Sequence, residues 1–247
     1  APGMTSHDVV ATLRGVAGTK RVGHAGTLDP MATGLLIIGI DAGTKLLTYI
    51  VGQDKTYEAT IRLGAATVTD DAEGEISEYG SLAGCSESRI HEEIAKLTGE
   101  IEQVPSSVSA IKVNGERAYA KVRSGDEVKL AARPVTITRF EVLGQPRIET
   151  GTGDAAGRTF VDIDVVVDCS SGTYIRALAR DLGAALGVGG HLTALRRTHI
   201  GAYRVDDAVP MAELTRENLK ITSMYDSVKD AFELRELNEQ EIGRAHV

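Results

Sequence analysis

Residues 23–40 read GHAGTLDPMATGLLIIGI, and within this stretch a single acidic residue, Asp29, precedes a proline and lies among the glycines at 23, 26 and 34. Pro30 disfavours helical geometry at Asp29, so the carboxylate is predicted to lie on a turn. The glycines allow close backbone approaches that other residues resist. Residues 35–40 predict a strand behind the turn, an arrangement typical of reactive loops. An isolated Asp-Pro pair, in contrast, more often only starts a turn.

The same stretch resembles the Gly-His-Ala/Thr-Gly-x-Leu-Asp-Pro-x-Ala-Thr-Gly motif of the TruB-type tRNA pseudouridine synthases. The resemblance continues in order through AGTK at 42–45, KTY at 55–57, SGTYIR at 171–176 and LRR at 195–197. It covers nearly the whole chain. It implies an α+β fold with a mixed, mostly antiparallel sheet, the pseudouridine synthase fold.

Composition indicates a globular protein outside the membrane. The chain has 247 residues, 42% of them hydrophobic, and a mean hydropathy of -0.08. No apolar run approaches the ~20 residues that span a bilayer, and no signal peptide is visible. Cys85 and Cys169 lack CxxC spacing, so we interpret them as incidental thiols of a reduced, cytoplasmic protein without structural zinc.

Charge is distributed unevenly along the chain. The net charge of -8 argues against a general nucleic-acid binder. Residues 61–104 contain ten acids and three bases, whereas 105–135 contain six bases and three acids, and 171–204 contain five arginines and one aspartate. Two basic blocks in an acidic chain permit one positive surface for RNA.

Periodicity and turn residues predict the secondary structure. Helices are expected from Thr5 to the glycines at 15 and 18, at 44–50, at 86–97 and at 172–187. Strands are expected at 55–63, 104–113 (interrupted by a turn), 134–143, 158–168 and 199–205, with 144–157 as a flexible connection.

The resemblance also implies a domain organisation. Residues 1–225 would form the catalytic domain, in which 111–135 would be a protruding basic insertion, the thumb, that grips the tRNA stem-loop. Residues 226–247 would be a linker and the start of a C-terminal PUA-like domain that is incomplete or absent here.

The chemistry implied by the resemblance converts uridine to pseudouridine, which requires no redox step, metal or organic cofactor. Asp29 would act at the sugar, either as a nucleophile or by taking a sugar proton. Arg176 would keep that carboxylate ionised, because a guanidinium favours the charged form. Tyr57 would stack on the uracil and help to move its C5 proton.

The remaining predicted site residues would bind the substrate. Leu195 would form an apolar wall, His24 would contact the RNA loop and Tyr174 would lie near the sugar. Candidate phosphate contacts are Lys20, Lys45, Lys112, Lys121, Arg123 and Arg197. The implied substrate is a flipped-out T-loop uridine of tRNA, uridine 55 (U55), bound by a monomer without an obligatory protein partner.

Two alternatives remain open at the level of sequence. The first is a catalytically silent RNA-binding module. The second is a glycosidase-like hydrolase, in which Asp29 would pair with Asp70, Asp71 or Glu73 across ~5–10 Å. Nothing in the sequence places the 70–75 loop near Asp29.

Overall fold

The computed structural model describes residues 3–107, 112–113, 116–117 and 130–229, with 112–113 and 116–117 described by their backbone. The helices of this part of the chain are α1 (Ser6–Ala17), α2 (Leu47–Val51), α3 (Glu87–Lys96), α4 (Ile175–Leu186) and α5 (Met224–Val228). Its strands are β1 (Val22–Ala25), β2 (Thr33–Gly34), β3 (Ile37–Ile40), β4 (Lys55–Leu63), β5 (Ala65–Thr67), β6 (Ile76–Tyr79), β7 (Gly99–Gln103), β8 (Lys112–Val113), β9 (Glu116–Arg117), β10 (Arg133–Thr150), β11 (Thr159–Cys169), β12 (Gly190–Ile200) and β13 (Tyr203–Arg204).

A seven-stranded sheet organises the described residues. Its order is β13–β12–β4–β11–β10–β7, and β2 pairs with β12 from outside this path. Every pair is antiparallel except β2 with β12, which is parallel. The smaller sheets β1–β3, β5–β6 and β8–β9 are each antiparallel pairs. The predicted α+β fold with a mixed, mostly antiparallel sheet is confirmed.

Helices α3 and α4 bury their apolar stripes in the same core as the sheet. In α4 the buried residues Ile175, Leu178, Leu182 and Leu186 are spaced by three or four positions, and Ile90 and Ile94 of α3 join the same cluster. This spacing places the apolar residues of each helix on one face. Arg176 is also buried and lies in the first turn of α4.

Helix α1 begins as its sequence predicts. The Thr5 hydroxyl accepts from the Asp8 N–H at 3.2 Å, and the Asp8 carboxylate accepts from the Thr5 N–H at 2.8 Å. This reciprocal capping box satisfies two backbone donors that the first turn leaves free. Gly18 ends the helix in a left-handed conformation with φ 67°.

Strand β10 is longer than predicted. It was expected to end at residue 143, with 144–157 as a flexible connection, but it continues to Thr150, and 147–150 pair with 159–162 of β11. Gly144, at φ 73°, marks the bulge where the register shifts. Backbone pairing and an ion pair between Arg147 and Asp164 extend the hairpin although its tip carries few buried side chains.

Two other predicted strands were also placed incorrectly. Of the strand expected at 104–113, only 112–113 are a strand, β8; β7 ends before it at Gln103, 104–107 are irregular, and 108–111 lie outside the described residues. Residues 199–205 were predicted as one strand, but 199–200 are the end of β12, which runs from Gly190 to Ile200 with two bulges, and Tyr203–Arg204 form the separate strand β13. β12 stays continuous because β4 and β2 pair with it on either side.

The predicted thumb lies mostly outside the described residues. Its first strand pair, β8 with β9, is described by its backbone, and β10 begins within the expected insertion at Arg133. Arg133, Pro134 and Val135 pair with β7 and so belong to the main sheet.

Among the described residues, no helix combines the length and the apolar character needed to span a membrane.

Gly34 allows the residue-29 loop to dock on the sheet. Its φ is +102°, and a Cβ built there would lie 2.2 Å from the carbonyl oxygen of Arg197. The close approach permits the hydrogen bond from the Leu35 N–H to that same oxygen, at 2.8 Å. The parallel pairing of β2 with β12 therefore depends on a residue without a side chain.

We predict that Gly34→Ala lowers the free energy of unfolding by about 3 kcal/mol, because it adds both backbone strain and a clash. Urea unfolding followed by circular dichroism measures this. Gly43→Ala is the matched control, since a Cβ at Gly43 meets no atom within 4 Å and its φ is not in the left-handed region. Equal stability of the two variants would contradict the proposed docking constraint.

Candidate active site

Asp29 lies in the loop between β1 and β2, and that loop is anchored on both sides of it. The Leu28 N–H donates to the Ser6 hydroxyl of α1 at 2.9 Å, and the Ala32 N–H donates to the Asp29 carbonyl at 2.9 Å. Leu28, Met31 and Ala32 pack into the main core. The backbone around Asp29 is thereby fixed, while 36% of its side chain remains exposed.

Arg176 binds the Asp29 carboxylate from the first turn of α4. Its Nε donates to Asp29 Oδ2 at 3.0 Å, although the two residues are 147 positions apart in the chain. The arginine side chain is only 6% exposed. Burying a guanidinium is costly unless it is paired, so this contact is a strong determinant of where both groups lie. The structure thus brings together the two charged residues that the resemblance implied.

A second carboxylate, that of Asp71, also binds Arg176, a contact that was not predicted from the sequence. The guanidinium Nη1 lies 3.3 Å from Asp71 Oδ2 and donates to the Thr69 carbonyl at 2.9 Å. Asp71 Oδ1 in turn accepts from the Thr69 hydroxyl at 2.6 Å and from the Glu73 N–H at 3.0 Å. One buried guanidinium therefore bridges Asp29 and the buried Asp71.

The expectation that nothing brings the 70–75 loop towards Asp29 was wrong. The Leu192 N–H of β12 donates to the Asp70 carbonyl at 3.1 Å, and Asp71 forms a parallel bridge with Leu192. These backbone bonds hold the loop beside α4. The adjacent aspartates were visible in the sequence, but their approach depends on a loop-to-strand contact that has no periodicity signal.

Tyr57 lies on β4 directly opposite Arg197 of β12. Burial raises the pKa of the Tyr57 phenol, the Arg197 guanidinium opposes that rise and the Asp29 carboxylate adds to it. The ring is 8% exposed and shares the core cluster with Leu195, the predicted apolar wall. The predicted stacking on a uracil therefore requires the side chains that cover the ring to move.

The position of Arg197 is at odds with its predicted role as a phosphate contact. It is 1% exposed, and its guanidinium donates to three carbonyls, those of Leu35 at 2.9 Å, Gly26 at 3.2 Å and Thr27 at 3.3 Å. All three carbonyls belong to the loop and strand around Asp29. Because Arg197 is buried, its guanidinium is not available to an RNA phosphate. It holds the residue-29 loop instead.

His24 lies near the start of the same loop and faces His7, with ring centroids 6.3 Å apart. Burial lowers the pKa of His24, and the charge of His7 lowers it further. Its Nδ1 is buried and has no hydrogen-bond partner among the described residues. The lowered pKa favours the neutral form of this imidazole.

The other predicted binding residues are spread around the site. Lys20 and Lys45 are exposed, whereas Tyr174 is half-buried and immediately precedes α4. Lys112 is described only as part of β8, and Lys121 and Arg123 lie outside the described residues. Among the described residues, no cluster of three or more His, Cys, Asp or Glu side chains could hold a metal ion.

Comparison with known proteins identifies the family. A family model described as TruB family pseudouridylate synthase (N terminal domain) matches residues 14–175. The chain belongs to this family. A second model, the tRNA pseudouridylate synthase B C-terminal domain, matches residues 176–237. The boundary between the two TruB models lies immediately before Arg176, so the Asp29–Arg176 pair joins residues from both.

Relatives within the TruB family are similar over almost the entire chain. A protein named tRNA pseudouridine synthase B from Paenarthrobacter aurescens is 61% identical over 97% of this chain and 74% of its own length. A protein of the same name from Nocardia farcinica is 55% identical over 97% of this chain and 75% of its own length.

Solved structures show a similar fold at lower identity. A chain in the crystal structure of a Cbf5–Nop10–Gar1 complex is 27% identical, with a TM-score of 0.57 over 83% of this chain and 47% of that one. A chain in an archaeal box H/ACA Nop10–Cbf5 complex is 25% identical, with a TM-score of 0.57, and the match covers 88% of this chain. This chain spans about half the length of both.

We predict that Arg197→Met lowers the free energy of unfolding by about 3 kcal/mol, because it leaves three loop carbonyls without their donor. Arg196→Met is the control: Arg196 is the exposed neighbour on the same strand, and its loss should change stability by less than about 0.5 kcal/mol. Chemical denaturation of both variants makes the comparison. If Arg197→Met were as stable as wild type, its contacts would not be what holds the residue-29 loop.

Proposed function

We propose that this chain isomerises a uridine of tRNA to pseudouridine, and that its target is U55 in the T-loop. The observation that carries the proposal is the partly exposed Asp29 carboxylate held by the buried Arg176 guanidinium at 3.0 Å. Relatives at 61% and 55% identity that are named tRNA pseudouridine synthase B support tRNA as the substrate. The T-loop position follows from the motif resemblance.

The reaction breaks the bond between sugar C1′ and uracil N1, turns the base and forms a bond between C1′ and C5. Uracil C5 loses a proton and N1 gains one, so atoms and electrons balance without an external reactant. Asp29 acts at the sugar in one of two ways, as a nucleophile at C1′ or as a base that takes a sugar proton. Both require an ionised carboxylate, and the Arg176 Nε lies 3.0 Å from Asp29 Oδ2.

Tyr57 would provide the surface on which the extruded uracil lies. Stacking a base on an aromatic ring contributes about 1–3 kcal/mol. Because burial raises the pKa of Tyr57, the phenol is neutral at pH 7 and cannot act there as an unaided base for the C5 proton. Leu195, which shares its core cluster, would form the apolar wall.

The target base must leave its stack before Asp29 can reach the sugar. Flipping costs a few kcal/mol and is easier in a loop than in a duplex, which favours a structured T-loop as the substrate. Exposed Lys20 and Lys45 would contact phosphates close to the site, and His24 would contact the loop. We further propose that a cytoplasmic monomer performs the reaction without a protein partner.

The geometry argues against the glycosidase-like alternative. Asp71 approaches Asp29 through Arg176, but its side chain is only 5% exposed; its Oδ1 accepts two hydrogen bonds and its Oδ2 forms an ion pair with Arg176. A hydrolase needs a second carboxyl that can donate a proton to the leaving group. The contacts of Asp71 orient Arg176 instead, and Glu73 is exposed on the loop surface.

We predict that Asp29→Asn abolishes conversion and leaves affinity for tRNA within about threefold, because the amide keeps the shape but cannot attack or take a proton. Incubation with a tRNA transcript followed by chemical mapping of pseudouridine measures conversion and its position. Filter binding measures affinity.

Asp41→Asn supplies the control, since it makes the same chemical change at an exposed aspartate that follows β3. Conversion at U55 by wild type and by this control, with none by Asp29→Asn, is the expected result. Substantial conversion by Asp29→Asn would remove Asp29 from its role. Binding by wild type without conversion would favour the silent RNA-binding module.

A further inference from the structure

A second arginine stands one helical turn after Arg176 on the same face of α4. Arg180 Nη1 lies 3.3 Å from Asp70 Oδ2, and Nη2 donates to the Val104 carbonyl at 2.7 Å. Arg180 also contacts its chain neighbour Asp181, at 2.9 Å from Nε and 2.8 Å from Nη2. Arg180 therefore joins three separate segments: α4, the 69–71 loop and the residues after β7.

Successive aspartates of the loop bind successive arginines of the helix. Asp71 pairs with Arg176, and Asp70 pairs with Arg180. Adjacent side chains point in opposite directions along an extended chain, so both carboxylates can face one helix only if the backbone departs from that geometry. Asp70 does so, with a φ of +60° that is unusual outside glycine.

The unusual backbone at Asp70 also determines what Arg176 can bind. Arg176 uses two acceptors from this loop, the Thr69 carbonyl and the Asp71 carboxylate, which flank Asp70 in the chain. The Asp70 side chain is 12% exposed, so its pairing with Arg180 takes place largely out of water. A contact that holds Asp70 in place therefore also holds the Thr69 carbonyl and the Asp71 carboxylate, which bind the Arg176 guanidinium.

A neighbouring contact fixes the other end of the same turn of α4. The Gln103 side chain accepts from the Tyr174 N–H at 2.8 Å and donates to the Tyr174 carbonyl at 3.1 Å. Gln103 is 2% exposed and lies at the end of β7, one residue before Val104. Gln103, the last residue of β7, and Val104, which follows it, thus contact residues 174 and 180, on either side of Arg176.

We propose that Arg180 is a positioning residue for the reaction. Its pairing with Asp70 holds the 69–71 loop so that the loop's acceptors orient Arg176, and Arg176 in turn presents its Nε to Asp29. This inference rests on the proposed function, since it assigns Arg180 a role in that reaction. Arg180 acts through Arg176 and does not touch the substrate.

The test replaces Arg180 by methionine, with Arg62→Met as the matched control. Both arginine side chains are 28% exposed, and each pairs with a largely buried aspartate, but Arg62 pairs with Asp162 in the sheet. Arg180→Met should lower the single-turnover rate constant on a tRNA transcript about tenfold, because displacement of a positioned group slows chemistry. Its tRNA Kd should stay within about twofold, and Arg62→Met should change neither quantity by more than about twofold.

A second readout does not depend on activity. The Arg176 Nε–H gives a ¹⁵N–¹H resonance that can be assigned by its absence in Arg176→Lys. Its hydrogen exchange should be about tenfold faster in Arg180→Met and unchanged in Arg62→Met, because loss of the loop acceptors loosens the bond to Asp29. Asp70→Asn should reproduce the effect. This second variant keeps the test available if Arg180→Met fails to fold, because asparagine tolerates the positive φ at position 70.

An unchanged rate constant, an equal loss in Arg62→Met, or unchanged exchange in both Arg180→Met and Asp70→Asn would overturn the inference. Failure of the wild-type protein to convert tRNA would instead refute the proposed function. The exchange measurement would still decide whether Arg180 orients Arg176.

Discussion

The contact between the Asp29 carboxylate and the Arg176 guanidinium is the interaction on which the site depends. It joins a loop near the start of the chain to a helix 147 residues later, and it buries the cation while leaving the anion partly exposed. A buried guanidinium is tolerated only when it is paired, so the fold must supply acceptors for it. The Asp71 carboxylate and the Thr69 carbonyl are two further acceptors of this guanidinium. Asp29 differs from them because its side chain is partly exposed.

The residue-29 loop is rigid because several elements hold it from behind. Arg197 binds three of its carbonyls, β2 pairs with β12, and Ser6 of α1 bonds to Leu28. Tyr57 and Leu195 occupy the core immediately beneath. If a uracil stacks on Tyr57 as we propose, the side chains that cover this buried residue have to move, while the charged pair can stay in place.

The parts of this fold that could be predicted from the sequence are those that depend on local patterns. The capping box of α1, the apolar stripe of α4 and the alternating strand β4 were all predictable because periodicity and capping are properties of neighbouring residues. Arg176 was identified through a motif. The contact of Asp71 with Arg176 and the role of Arg197 in holding the loop were not predicted from the sequence. Both depend on how distant parts of the backbone meet at β12. The extension of β10 was missed for a similar reason, as backbone pairing can continue without an apolar pattern.

The most direct measurement is tRNA conversion by an Arg176→Met variant at enzyme concentrations that saturate binding. The single-turnover rate constant should fall at least about a hundredfold, because the Asp29 carboxylate loses the partner that orients it, and the tRNA Kd should stay within about threefold of wild type. An unaltered rate constant in a folded Arg176→Met protein would contradict the dependence of the site on the contact between Asp29 and Arg176.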